Sequence, residues 1–146
     1  MGNVSQTHIG STKQVVTLPF HQWQIPNANG TLYANVNTNG TLVEYTMPSG
    51  GSILGITGSL TGALSTGTLQ FQPRIDGSLC PVLGGGNAVH DLSNTSFYFM
   101  QDGRKDNFRF NAGANVGVNF NASDTISPTT LDGNYLLVVL LEGVEY

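Results

Sequence analysis

His90 and Asp91 are neighbours in the chain, and a carboxylate beside an imidazole is the arrangement that holds a general base in its working tautomer. Such a base needs a nucleophile on an exposed elbow. Gly-x-Ser-x-Gly does not occur, and the single cysteine, Cys80, sits in Leu-Cys-Pro-Val-Leu, an apolar setting that suits an inert buried thiol. His8, His21 and His90 are not paired at metal-ligand spacing, and one cysteine cannot build a zinc site. Asp102, Asp106 and Asp124 are oxygen donors of the kind calcium takes. Arg104 and Lys105 stand inside that stretch and oppose a cation, so a solvated turn is expected there. Glu44, Glu142 and Glu145 show no spacing that would bracket a glycosidic bond. Gly84-Gly85-Gly86 is followed by neither Lys-Ser/Thr nor a helix pattern, which makes it a loop rather than a phosphate cradle. The expectation is therefore no catalytic residue, no metal site and no cofactor, with structural or surface histidines.

The elements that would have to position any site come from the rest of the composition. Only 10% of the 146 residues are charged, against about 25% in an average soluble domain. Glycine, asparagine, threonine and serine fill the gap, types that favour turns and strand surfaces over helix interiors. The net charge is −4 and the five basic residues are scattered except for Arg104-Lys105, so nucleic acid is not expected as a partner. The longest apolar run, Tyr135 to Leu141, is too short to span a bilayer, and no basic amphipathic helix points to a membrane surface. The opening residues show neither a signal-peptide pattern nor the usual myristoylation spacing, because Thr7 lies one place too far on. Asn-x-Ser/Thr occurs at Asn3, Asn29, Asn39, Asn94 and Asn121, a frequency that an Asn-, Thr- and Ser-rich chain reaches by chance.

Apolar residues recur with period two, and Gly or Pro interrupts nearly every helix-length window. Leu69, Phe71 and Ile75 fall on one side of a strand, and Gln70, Gln72 and Arg74 on the other; Pro73 marks an edge or a bulge. Residues 95–100 and 115–120 read as further strands. Residues 52–60 are apolar on both faces and belong in the middle of a sheet; 135–141 read as a strand buried on both sides. The repeated Asn-Gly-Thr-Leu at 29–32 and 39–42 predicts two hairpin turns of a β-meander, and Asp-Gly at 76–77, 102–103 and 132–133 predicts more. Eight to ten short strands at this spacing make an all-β, antiparallel β-sandwich, jelly-roll-like.

Before these strands, residues 1–26 read as an N-terminal arm or extended strip, and 27–146 as the sandwich domain. The first twelve residues have no pattern. Residues 15–26 are apolar yet broken by Pro19 and Pro26, so they lie extended on a surface, of this chain or of a neighbouring copy. Leu18, Phe20, Trp23 and Ile25 are the candidate intersubunit contact.

Two stretches resemble a known group. Residues 51–78, GSILGITGSLTGALSTGTLQFQPRIDGS, resemble a segment of small β-sandwich proteins of tailed bacteriophages: Ser65-Thr66-Gly67-Thr68-Leu69 stands where those proteins turn, and Ile75-Asp76-Gly77-Ser78 where their second strand ends in a hairpin. The closing DGNYLLVVLLEGVEY is similar to the last strand of such a sandwich, or of tumour-necrosis-factor-like trimers. The resemblance covers under a third of the chain and brings no catalytic residue. It implies a non-enzymatic protein of the virion surface, assembled in the host cytoplasm: a capsid decoration protein, head fibre or fibre tip. Its partners would be itself, as a homotrimer, and a major capsid or other virion protein. The alternative is a carbohydrate-binding, lectin-like receptor-binding module whose partner is a cell-surface glycan.

Overall fold

Alternating side chains with few helix formers leave the backbone to pair between segments, and the chain does so almost throughout. The computed structural model describes residues 12–34, 41–81, 88–92, 94–101 and 106–144. The patternless first residues, the second Asn-Gly, the triple glycine and the Asp-Gly at 102–103 lie outside these. Among the described residues eleven strands follow one another: β1 (Thr12–Gln22), β2 (Gly30–Thr31), β3 (Glu44–Thr46), β4 (Gly51–Leu60), β5 (Thr66–Ile75), β6 (Ser78–Leu79), β7 (Val89–His90), β8 (Ser96–Met100), β9 (Arg109–Phe110), β10 (Asn115–Ser127) and β11 (Gly133–Val144). No α-helix occurs among the described residues, and so none long enough to cross a membrane.

The fold is all-β and antiparallel, a sandwich of two sheets. In one the order is β1-β11-β4-β8, with β9 also on β4; in the other it is β2-β10-β5-β6, with β3 on β10 and β7 on β5. As expected, β4 runs through the middle of its sheet, between β11 and β8. The apolar strip after the first residues is β1 itself, paired with β11 from Thr12↔Val144 to Gln22↔Gly133.

Inward faces meet as rings on aliphatics. Phe20, Tyr135, Leu137, Val139, Ile53 and Ile56 from the first sheet are buried, as are Leu69, Phe71, Val116, Val118 and Phe120 from the second. Phe71 lies 4.4 Å from Tyr135 and 5.5 Å from Phe97 between ring centroids, across the gap between the sheets. Each such large side chain withdrawn from water contributes about 1.5–3 kcal/mol, and this term holds the sheets together.

Two of the expected turns are not turns. Gly30 pairs with Phe120 in β2, and a Cβ there would sit 2.8 Å from the Phe120 ring. The glycine serves close approach, and the Asn29 side chain accepts from the Ala122 backbone N–H at 3.0 Å. Gly133 likewise begins β11, opposite Leu60, while Asp132 ties Gln24 and Thr61 to that end of the sheet. Asp76-Gly77 is the expected hairpin turn, with positive φ at both residues (50° and 82°) between β5 and β6. Pro73 sits opposite Val118 within the sheet. Its carbonyl accepts from the Cys80 N–H at 2.8 Å, so its missing donor faces that side and the ladder to β10 loses nothing.

Candidate functional site

The outward faces of the two sheets differ in kind. On the β10–β5 sheet the outward positions carry amides and one guanidinium. Gln72 Nε2 donates to the Cys80 carbonyl at 2.6 Å, and Asn121 Nδ2 donates to Gln72 Oε1 at 3.3 Å. Arg74 is on the expected outward side but only 8% exposed. Its guanidinium donates to Asn119 Oδ1 and, at 3.1 Å, to the Val43 carbonyl, and lies 3.6 Å from Glu44. This face hydrogen-bonds to itself.

The β1-β11-β4-β8 sheet presents the opposite chemistry. Register places Val15, Thr17, Pro19 and His21 beside Leu140, Val138, Leu136 and Asn134 on one surface. Across β11 these meet Ser52, Gly55, Thr57 and Ser59 of β4, and beyond them Tyr98 and Met100 of β8. Val15 is 59% exposed, Leu136 39% and Tyr98 74%. Along β11 the second sheet covers Tyr135, Leu137, Val139 and Leu141; on the other side Leu136 is exposed and Leu140 half-buried, while Val138 is only 8% exposed. Small residues on β4 leave a trough between the ridges of β11 and β8, and a cavity of about 240 Å3 opens by Thr57, Ser59, Asn134 and Leu136.

One end of that surface is charged. Glu142 stands 3.6 Å from Arg109 and 3.9 Å from Lys13, beside a second cavity of about 340 Å3 that Gly51 and Phe110 also border. Neither contact is a tight hydrogen-bonded pair, and exposed pairs of this sort contribute about 0–1 kcal/mol.

The strip proposed as a contact divides. Phe20 and Ile25 are 0% and 1% exposed and pack in this chain's own core, so they offer no surface to a neighbour. Leu18 is half-buried against the same core, and Trp23 is 51% exposed at the end of β1. The outer edge of β1 is guarded near Trp23. Tyr45 Oη donates to the Pro19 carbonyl at 2.6 Å, and His21 exchanges backbone hydrogen bonds with Tyr33.

His90 is held in the core. Phe71, Phe97 and Tyr135 surround its ring at 4.8–5.7 Å, and it has no exposed surface. Nδ1 faces the Asn94 carbonyl at 3.3 Å, an acceptor only, so Nδ1 carries the proton and Nε2 accepts from Tyr135 Oη at 3.0 Å. Burial holds His90 down to about 4, outweighing the Asn94 carbonyl and Asp91, which pull upward. A neutral imidazole whose two nitrogens are engaged inside the core can take no proton from a substrate. The same desolvation pushes the Cys80 thiol up to about 11 and leaves little thiolate. His21 bonds Asn134 at 2.9 Å instead of any partner of His90. Among the described residues no group of three metal-ligating side chains forms; the side chains of Asp102, Asp106 and Asp124 lie outside the description. Asn94 and Asn121 each donate their amide nitrogen within the chain, to the Val89 carbonyl and to Gln72.

Residue types alone miss the open face. The signal was present in Leu136, apolar at an outward position of β11 where a solvent-facing strand carries polar residues.

No protein-family model matches the chain, and no curated protein sequence matches it. Among solved structures, the chain is similar to one in the capsid asymmetric unit of cyanophage Pam1, at 15% identity and TM-score 0.49, covering 97% of this chain and 91% of that one. It is also similar to a chain of the acidic stable capsid of the Helicobacter pylori bacteriophage KHP30, at 19% identity and TM-score 0.38, covering 92% and 100%.

Proposed function

We propose that the chain is a non-enzymatic structural protein of a phage particle, decorating or stabilising the capsid or forming a fibre module through contacts between copies. The observation that carries this reading is the outer surface of the β1-β11-β4-β8 sheet, where Val15, Leu136 and Tyr98 are exposed beside uncharged polar residues and charge is confined to one end, with exposed Trp23 at the end of β1. A surface of that kind is built for cover by protein. The resemblance of residues 51–78 and of the closing strand to phage sandwich proteins supplies the particle as the setting. A virion-surface location, assembly in a host cytoplasm and a three-copy module that binds a major capsid protein belong to the same reading. Trp23, with the exposed part of Leu18, is the contact proposed for the strip.

Electron microscopy of particles made with and without the protein tests it. Extra density that disappears on deletion is the expected result, and particles of identical appearance would sink the proposal. Trp23→Ala should lower occupancy on the particle while leaving the isolated fold intact, since that side chain stands half in solvent.

A lectin-like reading has one observation of its own. Tyr98, the most exposed aromatic side chain among the described residues, stands beside Thr57 at a trough of small and polar residues that a sugar ring could enter. Saturable binding on a glycan array, lost in Tyr98→Ala, is the result that would favour it.

A further inference from the structure

His90 brings an ionisable ring into the core on a strand of only two residues. The ladder of β7 runs Leu69↔His90 and Gln70↔Val89, and the Phe71 N–H donates to the Ala88 carbonyl at a long 3.3 Å. β5 does not depend on this edge, because β10 pairs along its other side from Thr66 to Ile75. The turn after β7 closes on β7 itself. Asn94 Nδ2 donates to the Val89 carbonyl at 3.0 Å, and the Asn94 N–H to the Asp91 carbonyl at 3.3 Å. At Thr95, whose carbonyl accepts from the Leu60 N–H at 2.8 Å, the chain is tied to β4 and enters β8. We propose that β7 is an acid-opened edge of the sandwich: when His90 takes up a proton its ring leaves the core and β7 comes off β5, while the two sheets stay packed.

The surroundings of the ring make a second proton costly. Nδ1 already donates to the Asn94 carbonyl, so the added proton falls on Nε2, the atom that accepts from Tyr135 Oη. Two donors then face each other unless the hydroxyl turns, and a turned hydroxyl aims its proton away from its acceptor. Tyr135, the titratable group that β11 presents, supplies no balancing charge, because burial pushes its phenol well above the ordinary value. β5 and β8 present the rings of Phe71 and Phe97, which do not titrate. Asp91, next in the chain, draws the proton in, but desolvation outweighs it. The rings attract a cation by less than the loss of its water costs. An imidazolium here is relieved by reaching solvent, and its own short strand is the part that can carry it there.

The direction with pH follows from the two environments. In the core the ring holds the extra proton only below about 4, whereas in water it does so below about 6.5. The opened form therefore takes the proton first as pH falls. Opening is favoured progressively from about 6.5 down to about 4 and is level in this respect below that. Between pH 7 and 4 the opening equilibrium should rise about a hundredfold. Opening uncovers the cluster of Phe71, Phe97 and Tyr135, an aromatic surface available for contact in acid and closed at neutral pH.

This opening does not depend on how the chain assembles, and the purified chain suffices to test it. Amide hydrogen exchange at pH 7 and 4, corrected for the intrinsic rate at each pH, reads it through the Phe71 amide and those of β7. These should lose about a hundredfold in protection. They should also exchange ahead of the amides of β4, β10 and β11 and respond weakly to low urea, the marks of a local opening. His90→Gln is neutral at both pH values and keeps a donor and an acceptor, so the loss should shrink to about threefold or less. His90→Leu, with no group to titrate, gives a second reading of the same kind. The proposal is overturned if the wild-type Phe71 amide keeps its protection at pH 4. Loss in step with β4 and β11 at the same urea slope, or equal loss in both variants, would overturn it too.

Discussion

At the scale of single residues, His90 shows how context decides chemistry. Beside Asp91 in the chain it has the makings of an oriented base, yet its ring enters the gap between the sheets and bonds Tyr135 and Asn94. Its proton affinity in the folded chain corresponds to about 4, below the ordinary 6.5. Between those values the unfolded chain holds the extra proton and the folded chain does not. Stability therefore falls as pH drops from about 6.5 towards 4 and is level in this term below that, a loss on the order of 3 kcal/mol. Urea unfolding at pH 7.5 and 4.5 measures it. His90→Leu should remove most of that slope, and an unchanged slope would show that His90 is not its source. What no reading of adjacent letters could supply is the partner 45 positions away that fixes the tautomer.

At the scale of the element, glycine placement sets how closely strands and rings approach. A Cβ on Gly58 of β4 would sit 2.2 Å from the Tyr135 ring, so that ring lies flat against β4 only because no side chain is there. Gly58→Ala should cost about 1–3 kcal/mol by forcing the ring off its rotamer. It should also disturb the bond to His90, visible as a rise in the His90 proton affinity by NMR. A fully stable Gly58→Ala chain with an unaltered histidine titration would refute the packing account. The strands themselves were legible from alternation: β4, β5, β8, β10 and β11 fall where the pattern puts them. The Asn-Gly and Asp-Gly pairs at 29–30 and 132–133 misled because the same glycine that permits a turn also permits close packing within a sheet.

For the whole molecule, the difference between the two outer faces is the organising feature. One face satisfies its amides and Arg74 within the chain, and the other leaves aliphatic and aromatic side chains to water. Because the exposed part of that face is uncharged over most of its area, attachment to the particle through it should be nearly indifferent to salt. Raising sodium chloride from 0.1 to 1 M should change the association constant by less than about tenfold. A steep loss of association with salt would instead place the contact at the charged end around Lys13, Arg109 and Glu142.

Local pattern determined the fold class, the central position of β4, the Asp76-Gly77 hairpin and the poverty of charge, because each depends on neighbours within a few residues. Only the tertiary structure decided which sheet each strand joins, that Phe20 and Ile25 turn inward while Trp23 stays out, and that Leu136 of β11 is exposed while Val138 is not. Those outcomes depend on pairings between segments far apart in the chain. The periodicity that marks a strand says which residues share a face, but not what lies against it.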